Sequence, residues 1–288
     1  MKKKELAVVA EILDGKQVSQ KLLEKLQTTV EQLNVKPVLA ILLVGENPAS
    51  TIYVNAKLKK ANSIGFKTEF KHLPSSTNQD EIIKQIHEWN NNPEINGILV
   101  QLPLPNGINK DSILNAIAPI KDVDGLTAYN SGLFYTGQNP YAIPCTSRGI
   151  LMLLDEYNIK IEGKHAVVIG RSNLVGKPTA QLLLQRNATV TTCHSKSQDL
   201  ESIIKTADIV ISAVGEKIVN GKILKNNCIV VDVGIFRTPD GKISGDVEFE
   251  SASEVASFLS PVPGGVGPMT VIALMYNLYD LFCAQIQS

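Results

Sequence analysis

The chain has 288 residues, more than one ordinary core takes and comfortable as two domains. Its 28 Lys+Arg balance 28 Asp+Glu, so no net field favours nucleic acid or an anionic membrane, and any anion site must be built locally. Cys145, Cys193, Cys228 and Cys283 are scattered without a Cys-x-x-Cys pair, which fits buried, reduced thiols of a cytoplasmic protein and offers no metal site.

From the start, Lys2-Lys3-Lys4 followed by Leu6 to Ala10 resembles a signal peptide, but Glu11 and Asp14 interrupt it, and the apolar stretch reads as a short strand. No uncharged run is read as approaching the ~18 residues of a membrane-spanning helix. Val38 to Val44 reads as a strand, Ser50 to Ile64 as a helix ended by Gly65, and Thr68 to Leu73 as a strand. A helix over Gln79 to Trp89 and a strand over Gly97 to Leu102 follow. This alternation is repeated βαβ, which forces parallel strands. Asp122 to Pro144, with Gly125, Gly132, Gly137 and Pro140, breaks the rhythm and reads as an interdomain connection.

Beyond it, a helix over Ser147 to Tyr157 leads to strands at His165 to Gly170, Thr189 to Cys193, Ile209 to Ala213 and Cys228 to Val233. After the Pro261 to Pro268 loop an apolar helix runs from Met269 to about Phe282 and is expected to pack back on the first domain. The reading is thus two α/β domains. Residues 1–145 with 269–288 form the N-terminal domain, and residues 146–268 form a Rossmann-like domain.

The strand Ala166 to Ile169 runs into Gly170-Arg171-Ser172-Asn173-Leu174-Val175-Gly176-Lys177-Pro178 and then a helix. Gly170 permits a tight turn, Gly176 lets the helix approach the strand, and the positive helix end favours pyrophosphate. The spacing is Gly-x-Ser-x-x-x-Gly, so an unliganded βα turn reads the same way. The next strand ends in His194-Ser195-Lys196, without the acid that bonds an NAD ribose. Arg171 with Ser195 or Lys196 suits a 2′-phosphate, which favours NADP.

Tyr53 and Lys57 stand four apart on one helical face, an ordinary surface pairing when taken alone. They follow Val44-Gly45-Glu46-Asn47-Pro48 at a strand's carboxyl end, where open α/β sheets place ligands. Gln101 ends the next strong strand, and Asp124 lies in Asp122-Val123-Asp124-Gly125. Singly these read as a packed tyrosine, a loop-capping amide and a turn aspartate.

Val100-Gln101-Leu102-Pro103-Leu104-Pro105, Asp122-Val123-Asp124-Gly125, Pro144-Cys145-Thr146, the Gly170 to Pro178 turn and Pro261-Val262-Pro263-Gly264-Gly265-Val266-Gly267-Pro268-Met269-Thr270 occur in order over nearly the whole chain. Together they resemble the bifunctional methylenetetrahydrofolate dehydrogenase/methenyltetrahydrofolate cyclohydrolase family. One departure is Ser147, where members usually carry a second proline after Pro-Cys-Thr; serine also suits a helix start. The resemblance implies NADP-dependent oxidation of 5,10-methylenetetrahydrofolate, hydrolysis of the methenyl product to 10-formyltetrahydrofolate, and a homodimer formed through the nucleotide-binding domains. It further implies Tyr53 against the folate ring, Lys57 assisting proton loss from water, Gln101 orienting Lys57, and Asp124 on the pterin amino edge. Pro263, Gly264 and Gly265 would contact folate. Gly170, Arg171, Ser172, Val175, Gly176, Ser195, Ile235, Gly267 and Thr270 would contact NADP. A dehydrogenase of the shikimate type and a non-catalytic nucleotide or folate sensor are the alternatives.

Overall fold

The computed structural model describes residues 9–239 and 241–286. Leu6 to Val8 of the strand read at the start therefore lie outside the described residues, and Val9 and Ala10 are in no strand. The chain divides into two compact units, one reaching from Gln20 to Cys145 and resuming at Val271, the other combining the segment up to Ser19 with Thr146–Thr270. Residues 9–19 and Met269–Thr270 thus fall outside the unit to which the sequence reading assigned them. The reason is hydrogen bonding at a sheet edge. Strand β1 (Glu11–Ile12) has too few residues to form a sheet of its own, and it pairs in parallel with Phe258–Leu259 near the chain's other end.

Helix α1 (Gly15–Glu31) follows, then β2 (Val38–Val44), α2 (Pro48–Ser63), β3 (Lys67–Leu73), α3 (Gln79–Asn91), β4 (Gly97–Val100), α4 (Lys110–Asn115) and α5 (Ala128–Tyr135). In this unit β2 lies between β3 and β4, all parallel. The run Val-Leu-Ala-Ile-Leu-Leu-Val of β2 is apolar on both sides, and from Leu39 to Val44 it is buried, as a strand covered on both faces requires. Edge strand β3 carries Lys67, Glu69 and Lys71, charges of the kind that discourage further pairing along an edge. Ala40, Leu42 and Val44 join Ile98 and Val100 of β4 and Ile82, Ile86 and Trp89 of α3 in one core. A reciprocal Asn78/Glu81 cap starts α3.

Helix α6 (Cys145–Glu156) opens the other unit's main stretch, followed by β5 (His165–Ile169), α7 (Gly176–Gln185), β6 (Thr189–Cys193), α8 (Leu200–Lys205), β7 (Ile209–Ser212) and β8 (Ile229–Asp232). A small antiparallel pair, β9 (Phe236–Arg237) and β10 (Ile243–Ser244), then α9 (Phe249–Ser253) and β11 (Phe258–Leu259) complete it. The large sheet runs β1-β11-β8-β7-β5-β6, parallel throughout. Because β5 pairs with β6 on one side and β7 on the other, the strand order reverses there, which is where doubly wound sheets open a ligand crevice.

The last helix, α10 (Val266–Ile286), corrects the expectation about uncharged runs. By length and composition alone it could cross a membrane, although half of its most apolar stretch is buried within the protein. From Val271 onward it belongs to the three-stranded unit. There Leu278 packs where a side chain on Gly97 would sit, and Gln285 donates to the carbonyls of Asn96 and Ile120 at 2.8 Å each.

Candidate active site

Helix α2 is placed by its start. The Asn47 side chain accepts from the backbone N–H of Ala49 and Ser50, and Pro48 occupies the first turn where its missing N–H is no loss. Ser50, Val54 and Ala61 face inward. Tyr53 remains half exposed, with Lys57 one turn further along and partly buried. At the end of β4, Gln101 is buried, and its N–H continues the ladder by donating to Leu42 O at 2.9 Å. Lys57 Nζ donates to Gln101 Oε1 at 3.0 Å, while Gln101 Nε2 donates to Leu102 O at 2.6 Å. The second bond fixes the amide so that its oxygen faces the ammonium.

Asp124 completes this group electrostatically. Burial pushes its carboxyl above the usual range, while the Lys57 charge and a hydrogen bond from Cys145 pull it down and Asp122 pushes it up again. The chain leading to it is held on several sides. Lys121 donates to the carbonyls of Trp89, Asn90 and Asn92 at 2.7–3.1 Å, and its burial lowers its pKa. Asp122 accepts from Thr127 N and Asn130 Nδ2. Asn277, fully buried on α10, donates to Val123 O and Ile143 O at 2.8 Å each and lies 3.3 Å from Cys145 Sγ. Sequence reasoning left out Lys121, Asn277 and the Cys145 contact. A lone amide in an otherwise apolar helix was the available signal for Asn277.

In the other unit, β5 is followed by Gly170, whose φ of 121° suits glycine alone and where a Cβ would lie 2.6 Å from Ala213 O. A Cβ on Gly176 would overlap the Gly170 carbonyl, so the start of α7 packs directly on the turn. Ser172 Oγ accepts from Val175 N at 3.1 Å, and Lys177 Nζ reaches Asn173 Oδ1 at 2.8 Å. Ser147, the departure from the family pattern, bonds Val175 O and Thr179 Oγ1 and so anchors this turn from α6. At the end of β6 a compact turn is closed by Lys196 N donating to His194 Nδ1 and His194 N donating to Ser197 Oγ, which leaves Ser195 and Lys196 exposed. Arg171 and Ile235 are also exposed. These features fit a dinucleotide: a glycine turn pressed on a helix N-terminus, and a strand end with donors and no acid.

Pro263, Gly264, Gly265, Gly267 and Thr270 belong to this second unit, apart from the unit carrying Tyr53, Lys57, Gln101 and Asp124. Gly265 N donates to Pro261 O, and Thr270 Oγ1 lies 3.3 Å from Thr146 Oγ1. Among the described residues no group of three or more His, Cys, Asp or Glu could hold a metal.

Two family models match. The catalytic domain of tetrahydrofolate dehydrogenase/cyclohydrolase covers residues 13–124, and the NAD(P)-binding domain of the same family covers residues 144–286. The chain belongs to the tetrahydrofolate dehydrogenase/cyclohydrolase family. The bifunctional protein FolD of Streptococcus agalactiae is 49% identical over 277 residues, 94% of this chain and 97% of that one. A crystal structure of the bifunctional FolD methylenetetrahydrofolate dehydrogenase/cyclohydrolase from Campylobacter jejuni superposes with a TM-score of 0.93 at 42% identity, covering 96% of this chain and 99% of that one. The FolD enzyme of Trypanosoma brucei, solved with NADP cofactor and an inhibitor, gives 0.92 at 34% identity, covering 97% and 99%. Membership in this family sets aside the shikimate-type reading.

Proposed function

We propose that the chain oxidises 5,10-methylenetetrahydrofolate to the 5,10-methenyl form with NADP and hydrolyses that product to 10-formyltetrahydrofolate. The observation that carries the reading is the Lys57–Gln101 hydrogen bond at the carboxyl end of β4, with Asp124 within electrostatic reach, in a chain of this family. NADP, when bound, takes up the hydride that leaves the methylene carbon. The folate nitrogens drive that loss through their lone pairs and share the resulting positive charge, so the step requires alignment more than a proton carrier. Gly170, Arg171, Ser172, Val175, Gly176, Ser195, Ile235, Gly267 and Thr270 are the residues that would hold the dinucleotide.

Hydrolysis places a different demand on the protein. Water adds to the methenyl carbon, a proton leaves it, and the bond from that carbon to one ring nitrogen breaks as the formyl group forms. Lys57 is the group placed to take part in that proton transfer, and Gln101 holds its amine in one direction. Tyr53, exposed one turn away, offers an aromatic face to the folate ring. Asp124 in its ionised form accepts from the paired donors of the pterin amino edge. Pro263, Gly264 and Gly265 are assigned to folate contact on the resemblance. A cytoplasmic homodimer joined through the nucleotide-binding units completes the reading, and buried thiols held in no disulfide at Cys145, Cys193 and Cys228 support a reducing compartment.

Incubating the protein with methylenetetrahydrofolate and NADP should reduce the dinucleotide; absence of reduction would sink the dehydrogenase assignment. Methenyltetrahydrofolate supplied without dinucleotide should disappear faster than in buffer alone. An unchanged rate would remove the hydrolase half.

A further inference from the structure

We infer that Asp246 is a positioning residue for NADP, holding the loop after β7 as one wall of the dinucleotide crevice. The inference rests on the reading that the Gly170–Gly176 turn is the NADP site. Asp246 lies just beyond β10 and is fully buried. Its carboxylate accepts from Ser212 Oγ and Val214 N at 2.8 Å each through one oxygen, and from Glu216 N at 3.0 Å through the other. Three neutral donors within five residues of chain therefore converge on one buried carboxylate. Burying a charge is costly, and a carboxylate is retained more readily where it fixes a geometry that a neutral side chain would not.

What it fixes is the end of β7. Ile169 of β5 pairs with Ser212 of β7, so Gly170 and Ala213 leave the sheet side by side at the point where strand order reverses. Gly170 fits so closely against Ala213 O that an inward shift of the 213–216 loop would press on the phosphate turn. Val214 has 42% of its surface exposed, so the loop presents its outer side to solvent while Asp246 ties its inner side. The same carboxylate occupies the space that a side chain on Gly234 would fill, one residue before Ile235. Asp232 in turn fixes the backbone around Asp246, accepting from Gly234 N, Asp246 N and Val247 N at 2.9–3.0 Å. Asp246 thus ties the loop after β7, and Asp232 ties the start of the loop after β8.

The two half-reactions separate positioning from folding, because hydrolysis of methenyltetrahydrofolate uses no dinucleotide. In Asp246→Asn one of the two acceptor oxygens becomes an NH2 donor, so either Val214 N or Glu216 N loses its acceptor. The expected result is a rise of roughly tenfold or more in the NADP dissociation constant, the size that one lost charge-assisted hydrogen bond allows, with methenyl hydrolysis at the parental rate. Parental NADP affinity in the variant would overturn the inference. So would equal loss of both activities, which would mark a purely structural acid. If Asp246→Asn does not fold, Ser212→Ala carries the test. It removes one of the three donors and should weaken NADP binding by a smaller factor with hydrolysis intact, and unchanged NADP affinity there overturns the inference. Failure of the parent protein itself to bind NADP would instead count against the function proposed above.

Discussion

Lys57 and Gln101 meet although 44 positions separate them, because α2 and β4 both flank the carboxyl end of β2. Replacing Lys57 by Met keeps the aliphatic stem and removes the amine. Methenyl hydrolysis is expected to fall by about a hundredfold or more, the lower range for a positioned proton-transfer group, while NADP affinity is retained. Equal hydrolysis in variant and parent would refute the assignment. Asp124 supplies a pH dependence. Its carboxyl is raised by burial, so on acidification it takes up a proton above the ordinary carboxylate range and loses its capacity to accept at both oxygens. The Michaelis constant for the folate substrate should therefore rise as pH falls into that range, and Asp124→Asn should flatten the profile. The four-residue spacing of Tyr53 and Lys57 was legible in the sequence because a helix repeats locally. The support that Asn277 gives through Val123 O and Ile143 O was not, since backbone carbonyls leave no mark in a sequence.

At the scale of elements, the strands were the readable part. Val38 to Val44 is an unbroken apolar run, and burial on both faces is the one environment in which such a run is stable. Helix α1 was not read, although Val18, Leu22, Leu26 and Val30 recur at four-residue intervals and are all buried. The charged residues between them draw attention away from the stripe. Helix α5 was taken for part of a connection because Gly132 sits inside it, yet Thr127 caps its start. For the phosphate turn, Gly176→Ala adds a Cβ that overlaps the Gly170 carbonyl. NADP binding is expected to weaken sharply and stability to fall by about 1–3 kcal/mol, as for other overpacked sites, which ligand titration and urea unfolding would measure. Arg171→Ala should raise the Michaelis constant for NADP and leave that for NAD unchanged. A matching rise for both would mean that the guanidinium does not recognise the 2′-phosphate.

For the whole molecule, the buried Asp232 couples stability to pH. Burial lifts its pKa from 3.8 to about 6, against the pull of three backbone N–H donors. The folded protein then holds more protons than the unfolded chain between those values, so this group's contribution to stability is greatest below 3.8 and is lost as pH rises through about 6. The full span corresponds to about 3 kcal/mol. Urea unfolding of the parent and of Asp232→Asn from pH 4 to 6 should show the parent losing stability relative to the variant as pH rises; parallel curves would contradict it. The division into two units was only partly visible in the sequence, because neither unit is continuous. Residues 20–145 are completed by the chain from Val271 onward, and β1 finds its partner only at Phe258–Leu259. During synthesis all three strands of one sheet are made well before the helix that fills out that unit. Strand β1 must likewise wait until β11 has been made. Neither unit can close until the segment from β11 through α10 has left the ribosome, so a translation product stopped short of it would leave both cores open.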